Sequence, residues 1–356
     1  ERERERWRRE GYILWFLWEL SPDLAEGYME ESKVVDEMGS ADQEIAHSEI
    51  ALFSTLPRND QWGLLQYKGF WMRDSRLSPA LAVQRRFVTR PDDIFVASAP
   101  KSGTTWLKAL VFSTVHRHRH HPGDPHHPLR TSHPHECVQS LETAFSLHRD
   151  PDLDSIPSPR IWSVHTPYSI LPESLRRSPC RMVYVARDPK DSFVSFMCFL
   201  SAVKSPDKLD ISVDEAFELY CSGISPFGPV WEHALEYWKE SLKRPEKVLF
   251  LKYEDMKGDP LGSLKRLAEF LGCPFSEEEK DRVVGEISEL CSIKSLKEVE
   301  ANKAGVLVPI DGMTVRKDAF FRRGEVGDWK NYLNSEMAQR LDQVIQERLQ
   351  GSGLKL

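Results

Sequence analysis

Asp93-Ile94-Phe95-Val96-Ala97-Ser98-Ala99-Pro100-Lys101-Ser102-Gly103-Thr104-Thr105-Trp106-Leu107-Lys108-Ala109-Leu110-Val111-Phe112 reads as a short strand, a tight turn of small residues and a helix. That geometry aims backbone N–H groups at an anion. Gly103 has no Cβ, so the backbone can approach a ligand closely. Thr104 and Thr105 add hydroxyls, and Lys101 adds a mobile positive charge. The nucleoside-triphosphate loop has the order G-x-x-x-x-G-K-[ST], with a Ser/Thr on Mg²⁺. Here the lysine precedes the glycine and the first glycine is missing. A plain capped turn would explain Gly-Thr-Thr, but not Pro-Lys-Ser before it and Trp after it.

Outward from this stretch, strands alternate with helices. Ile161-Trp162-Ser163-Val164 is a second strand, stopped by Pro167, with His165 at its tip. Arg181 to Ala186 is a third strand, and Arg187 follows it. Asp188 is an N-cap and Pro189 takes the first helical position. Ser195 lies two turns into that helix. Arg187 either grips an anion there or pairs with an acid. Val248 to Asp255 reads as a fourth strand with a polar end. Helices are expected over 79–87, 231–242, 260–271, 276–287 and 336–349. This alternation predicts a single α/β domain, a mainly parallel, doubly wound sheet with right-handed crossovers. Ligands then bind outside the carboxyl ends of the strands, where His165 and Arg187 sit. Phe320-Phe321-Arg322-Arg323-Gly324 opens a basic, Gly-punctuated loop suited to closing over a phosphate.

The 356 residues suffice for one large domain. A net charge of -7 argues against general nucleic-acid binding. The six cysteines show no C-x-x-C, which suits a reducing compartment. Eight of the twelve histidines fall between His116 and His135, among prolines. Their spacing fits no closed metal site, and the tract reads as a polar loop with incidental His. Residues 1–45 read as an acidic, mobile extension ahead of a domain over 46–356. Its apolar run at 12–18 is far shorter than the ~20 residues that span a bilayer. Phe70 and Trp71 are either core or pocket aromatics.

Pro100-Lys101-Ser102-Gly103-Thr104-Thr105-Trp106 resembles the 5′-phosphosulfate loop of the soluble sulfotransferases. These enzymes move a sulfuryl group from 3′-phosphoadenosine 5′-phosphosulfate (PAPS) to a hydroxyl, leaving adenosine 3′,5′-bisphosphate (PAP). The resemblance runs from about Trp62 to Leu349, with its signatures in the family's order. It implies the phosphate-loop sulfotransferase fold, His165 as catalytic base, Lys101 at the transferring group, and no metal. It implies a donor site of Lys101, Ser102, Gly103, Thr104, Thr105 and Trp106. Arg187 and Ser195 would grip the 3′-phosphate, Tyr253 would approach the adenine, and Arg322, Arg323 and Gly324 would close over the 3′-phosphate. Arg187-Asp188-Pro189-Lys190-Asp191 is similar to the plant branch, which implies a cytoplasmic enzyme and a small hydroxyl acceptor: flavonoid, steroid, jasmonate or similar. Many animal members have a lysine two residues before the histidine, where this chain has Ser163. Lys101 is then expected to carry more of the charge. The animal dimer motif is absent, since Lys330 is followed by Asn334, Ser335 and Gln339 at its fixed positions. A monomer or weak homodimer is expected. The rival readings are a phosphate-loop kinase, which needs Gly-Lys-[Ser/Thr] and an Asp for Mg²⁺, and an inactive nucleotide-binding relative.

Overall fold

The computed structural model describes residues 40–147, 151–204, 211–310 and 313–356. The apolar run at 12–18 lies outside them. A helix over Ser40–Thr55 belongs to a first unit that ends at Leu56. It starts ahead of Ile50, where the sequence put the first order, and it contains the expected boundary at 45. The second unit runs from Pro57 to Leu356.

The second unit is organised by four strands: β1 (Ile94–Ala97), β2 (Ile161–Val164), β3 (Arg181–Ala186) and β4 (Val248–Lys252). All pair in parallel, in the order β2-β1-β3-β4. Their near-continuous apolar runs suit a sheet covered on both faces. Alternate side chains divide between two cores. Phe95, Ala97, Met182, Tyr184 and Phe250 pack with Trp231, Ala234 and Tyr237 of the helix Val230–Lys243. Ile94, Val96, Val183, Val185 and Leu249 pack with Leu107, Leu110 and Val111 of the helix Thr104–Val115. Each such side chain contributes about 1.5–3 kcal/mol on full burial. A buried ion pair, Asp93 with Arg160 at 2.7 Å, ties the starts of β1 and β2.

The connection from β1 leads to β2 on one side. The connection from β3 leads to β4 on the other. Loops after β1 and β3 therefore diverge and leave a crevice between them. The phosphate loop is one wall of that crevice and Arg187 is the other.

Some boundaries differ from the sequence reading. The fourth strand stops at Lys252, and Tyr253–Gly258 turns helical at once. The acidic helix runs over Glu279–Leu290, three residues late, because Ser276 and Glu279 bond each other's backbone N–H groups ahead of it. The helix Pro260–Phe270 ends as expected on Gly272, at φ 72°. The N–H groups of Gly272 and Cys273 return to Glu269 and Ala268. Two small antiparallel sheets flank the main one, Arg58–Asn59, Leu64–Tyr67 and Phe70–Met72 in the first, and Val203–Lys204, Met313–Arg316 and Val306–Ile310 in the second. Among the described residues, no helix is long and apolar enough to cross a membrane.

Candidate active site

Gly103 precedes the helix Thr104–Val115 and adopts φ 111°. A Cβ there would lie 2.8 Å from the Tyr253 ring. The glycine therefore answers to Tyr253 as well as to a ligand. Having no side chain, it gives the helix no cap. The first-turn N–H groups are left to the crevice. We expect Gly103→Ala to lower the melting temperature by several degrees and to weaken nucleotide binding, since both φ and contact are refused. Calorimetric scans with and without PAP check this. An unchanged melting temperature would show that Tyr253 moves aside freely.

Lys101 sits in the left-handed region at φ 65°, a strained place for a side-chain residue. Its Nζ lies 3.9 Å from the centroid of Phe199 and 5.4 Å from that of Phe320. Burial, then the charges of Arg187 and Arg322, push its pKa down to about 7. Among the described residues, no carboxylate pairs with it. A lysine without a counter-ion, set among the charges of two arginines, suits the place of an anion.

Arg187 is 7% exposed at the tip of β3. One Nη donates to the Glu325 carbonyl at 2.9 Å, and Asp191 lies 3.5 Å away. Arg187 thus has the acid of one sequence reading and keeps spare donors. Among the described residues its buried Nε has no partner, and neither has that of Arg322. Such orphaned guanidinium donors fit a phosphate. Arg322 and Arg323 both pair with the buried Asp328. Asp191 accepts from the N–H groups of Gly327 and Trp329 at 2.8 and 2.9 Å, which ties this loop to the helix Pro189–Ala202. Gly324, at φ 68°, packs so tightly on Ile293 that a Cβ would come within 2.5 Å.

His165 follows β2. Its Nδ1 is 2.8 Å from the Ser98 carbonyl, which can only accept. The ring proton therefore sits on Nδ1, and Nε2 keeps a bare lone pair. Burial holds the His165 pKa below its ordinary value, while the Glu142 carboxylate pulls the other way. Glu142 accepts from the N–H groups of His165 and Thr166 at 2.7 and 3.0 Å and from the Thr166 hydroxyl. His233 donates from Nε2 to the His165 carbonyl at 2.8 Å.

One cavity of about 830 Å³ joins these groups. Lys101, Gly103, Thr104, Thr105, Trp106, His165, Arg187, Ser195, Tyr253, Arg322, Arg323 and Gly324 all line it. Ser102 does not: it is 1% exposed and turned into the protein. Of the two open aromatics, Phe70 is core and Trp71 packs against the core; the neighbouring Met72 and Arg73 reach the cavity instead.

The sulfotransferase domain model matches residues 91–353. The chain belongs to the sulfotransferase family. Cytosolic sulfotransferase 6 of Arabidopsis thaliana is 43% identical over 334 residues, covering 92% of this chain and all of the relative. Cytosolic sulfotransferase 5 of the same plant is 44% identical, covering 85% and 95%. An Arabidopsis thaliana sulphotransferase crystal structure superposes with a TM-score of 0.69 at 36% identity, covering 86% of this chain and 94% of that one. A mouse sulfotransferase complexed with PAP gives 0.62 at 27%, covering 81% and 95%.

This sulfotransferase carries three cavity residues that the sequence reading passed over. Lys108, on the helix Thr104–Val115, is 1% exposed. Lys101 is therefore not the lone buried cation beside the loop. His135 lies within 3.0 Å of both Thr105 and Lys108. Glu142 supports His165 from 23 residues away in the chain. The histidine tract is also more than an incidental loop. His127 and His133 are fully buried and accept backbone N–H bonds that start short helices. Among the described residues, no three His, Cys, Asp or Glu side chains gather as a metal would need.

Proposed function

We propose that His165 is the general base and that Lys101, Arg187 and Arg322 hold the donor. The enzyme transfers a sulfuryl group, and its donor PAPS supplies that group on a 5′-phosphosulfate. The observation that carries the reading is the bare Nε2 of His165, fixed by the Ser98 carbonyl, facing the same cavity as Lys101 and the helix N-terminus. In this reading Nε2 takes the proton of the acceptor hydroxyl. Lys101 and the first-turn N–H groups stabilise negative charge at the leaving 5′ end. Arg187, Ser195 and Arg322 hold the 3′-phosphate, Arg323 and Gly324 complete the lid, and Tyr253 with Trp106 forms an aromatic corner at 5.4 Å for the adenine. Thr104 serves the loop from inside, with its hydroxyl 2.5 Å from that of Ser98.

Trp62, Met72, Phe196, Leu200 and Phe227 add apolar lining to the cavity, and Phe199 lies beside Lys101. This supports a compact hydrophobic acceptor with one hydroxyl aimed at His165, such as a flavonoid, steroid or jasmonate-like molecule. Relatives named cytosolic support action in the cytoplasm. A panel of such acceptors with PAPS, read by PAP release, tests the reading. Transfer to none of them would overturn the acceptor class.

The base must be neutral to act. Its pKa is lowered, so the acid limb of kcat/KM should fall below the ordinary histidine value near 6.5, with the rate rising through it as pH rises. Glu142→Gln keeps an acceptor for the same N–H groups but removes the charge that raises His165. The limb should then move to still lower pH. A shift to higher pH would show that Glu142 does not act on His165 electrostatically.

A further inference from the structure

We propose that Lys108, His135 and Thr105 form a chain of hydrogen-bond donors that ends in the cavity and polarises the 5′ end of the donor site. Lys108 and His135 are positioning residues in this proposal, which rests on the sulfuryl-transfer reading above. Lys108 lies one turn after Thr105 and shares its helix face. It is 1% exposed, and among the described residues no carboxylate pairs with it. A buried ammonium needs an outlet for its charge. Glu142, the acid that influences it, already serves His165, Thr166 and Ser140. The partner within reach is His135, whose Nδ1 lies 3.0 Å from Lys108 Nζ.

Burial pushes the Lys108 pKa down to about 7; in its charged form the ammonium has only protons to give, so Nδ1 accepts and the ring proton sits on Nε2. Burial and the Lys108 charge hold the His135 pKa well down, so the ring stays neutral. Nε2 then donates to Thr105 Oγ1 at 3.0 Å. This occupies a lone pair of the hydroxyl and leaves its own proton to place. Threonine in a helix often returns that proton to a carbonyl one turn back. Among the described residues no carbonyl takes it from Thr105. The hydroxyl lines the cavity beside the first-turn N–H groups, and its proton is free for an anion there. Serial donors polarise one another, so the distant ammonium strengthens the final bond. No proton leaves the chain; each bond only tightens as charge grows at the 5′ end.

A double-mutant cycle tests this, with two readouts: turnover with PAPS, and calorimetric affinity for PAP. Lys108→Met should lower kcat by about tenfold and weaken PAP several-fold, the scale of one charge-assisted hydrogen bond. Its melting temperature should hold or rise, because an uncompensated buried charge is replaced by an apolar chain. Thr105→Val should do at least as much as Lys108→Met. The double variant should be no worse than Thr105→Val alone, since Lys108 acts through that hydroxyl. Losses that multiply in the double variant would overturn the chain. So would a Lys108→Met protein that melts lower while keeping wild-type turnover, which is the behaviour of a purely structural lysine. If Lys108→Met fails to fold, His135→Gln and His135→Leu decide. Gln can still donate to Thr105 and should keep PAP affinity better than Leu; equal losses would overturn the proposal. Because PAP binding needs no acceptor, a wild-type protein inactive towards every acceptor would fail the transfer reading and leave the cycle readable.

Discussion

His165→Ala lowers turnover by a factor of roughly 10² to 10⁴, the usual worth of a general base. That is about 3 to 5 kcal/mol of barrier. PAP affinity stays near the wild-type value, because the proposed role puts His165 on the acceptor and not on the nucleotide. Lys101→Ala behaves differently and loses both rate and PAP affinity, since the proposal places the Lys101 loop at the 5′ end. Steady-state kinetics and calorimetry on the two variants separate the roles. Near-normal turnover in His165→Ala, or a loss of PAP affinity as deep as that of Lys101→Ala, would make His165 a structural residue.

Arg187→Gln removes the preference for a 3′-phosphate. Among the described residues Arg187 has a buried Nε without a partner, lines the cavity together with Arg322, and holds its guanidinium 4.5 Å over the Tyr253 ring. A hydrogen bond to a charged group contributes about 1.5–3 kcal/mol. PAP should therefore bind about 10- to 150-fold more weakly in the variant. ADP, which has no 3′-phosphate, should change little. Asp191 keeps its two backbone N–H bonds to Gly327 and Trp329, so the lid loop stays anchored. Equal weakening of PAP and ADP would show that Arg187 supports the fold of the site and does not read the 3′-phosphate.

The strand-loop-helix at 93–112 was legible because each of its features is local. An apolar run, a small-residue turn and a helix start lie within twenty consecutive positions. Arg187 and His165 were legible by rule, as polar residues at the ends of apolar strands. Tyr253 was read as strand because its run is continuous with Val248–Lys252; the helix that claims it is short and starts at the sheet edge. Lys108 was read only as one residue of the helix after the loop. Its one signal was spacing, seven residues after Lys101 and three after Thr105, which repeats the face turned to the cavity. His135 and Glu142 carried no signal at all. Their work depends on the chain returning from the histidine tract to the ends of β1 and β2, and spacing along the sequence does not encode that return.

The bond from His165 to the Ser98 carbonyl has a consequence for how new specificities arise. Ser98 ends the strand that feeds the phosphate loop, and its amide bonds Val164 on the neighbouring strand at 3.3 Å. The proposed base and the proposed anion cradle are thus bolted to one rigid plate, two adjacent strand ends of a sheet buried on both faces. The apolar walls at Trp62, Met72 and Phe227 hang from separate segments outside that plate. Exchange of those walls can recut the shape of the acceptor chamber while the distance between base and cradle stays set. Chemistry and selectivity then drift independently, so one lineage can inherit the first intact while it redraws the second.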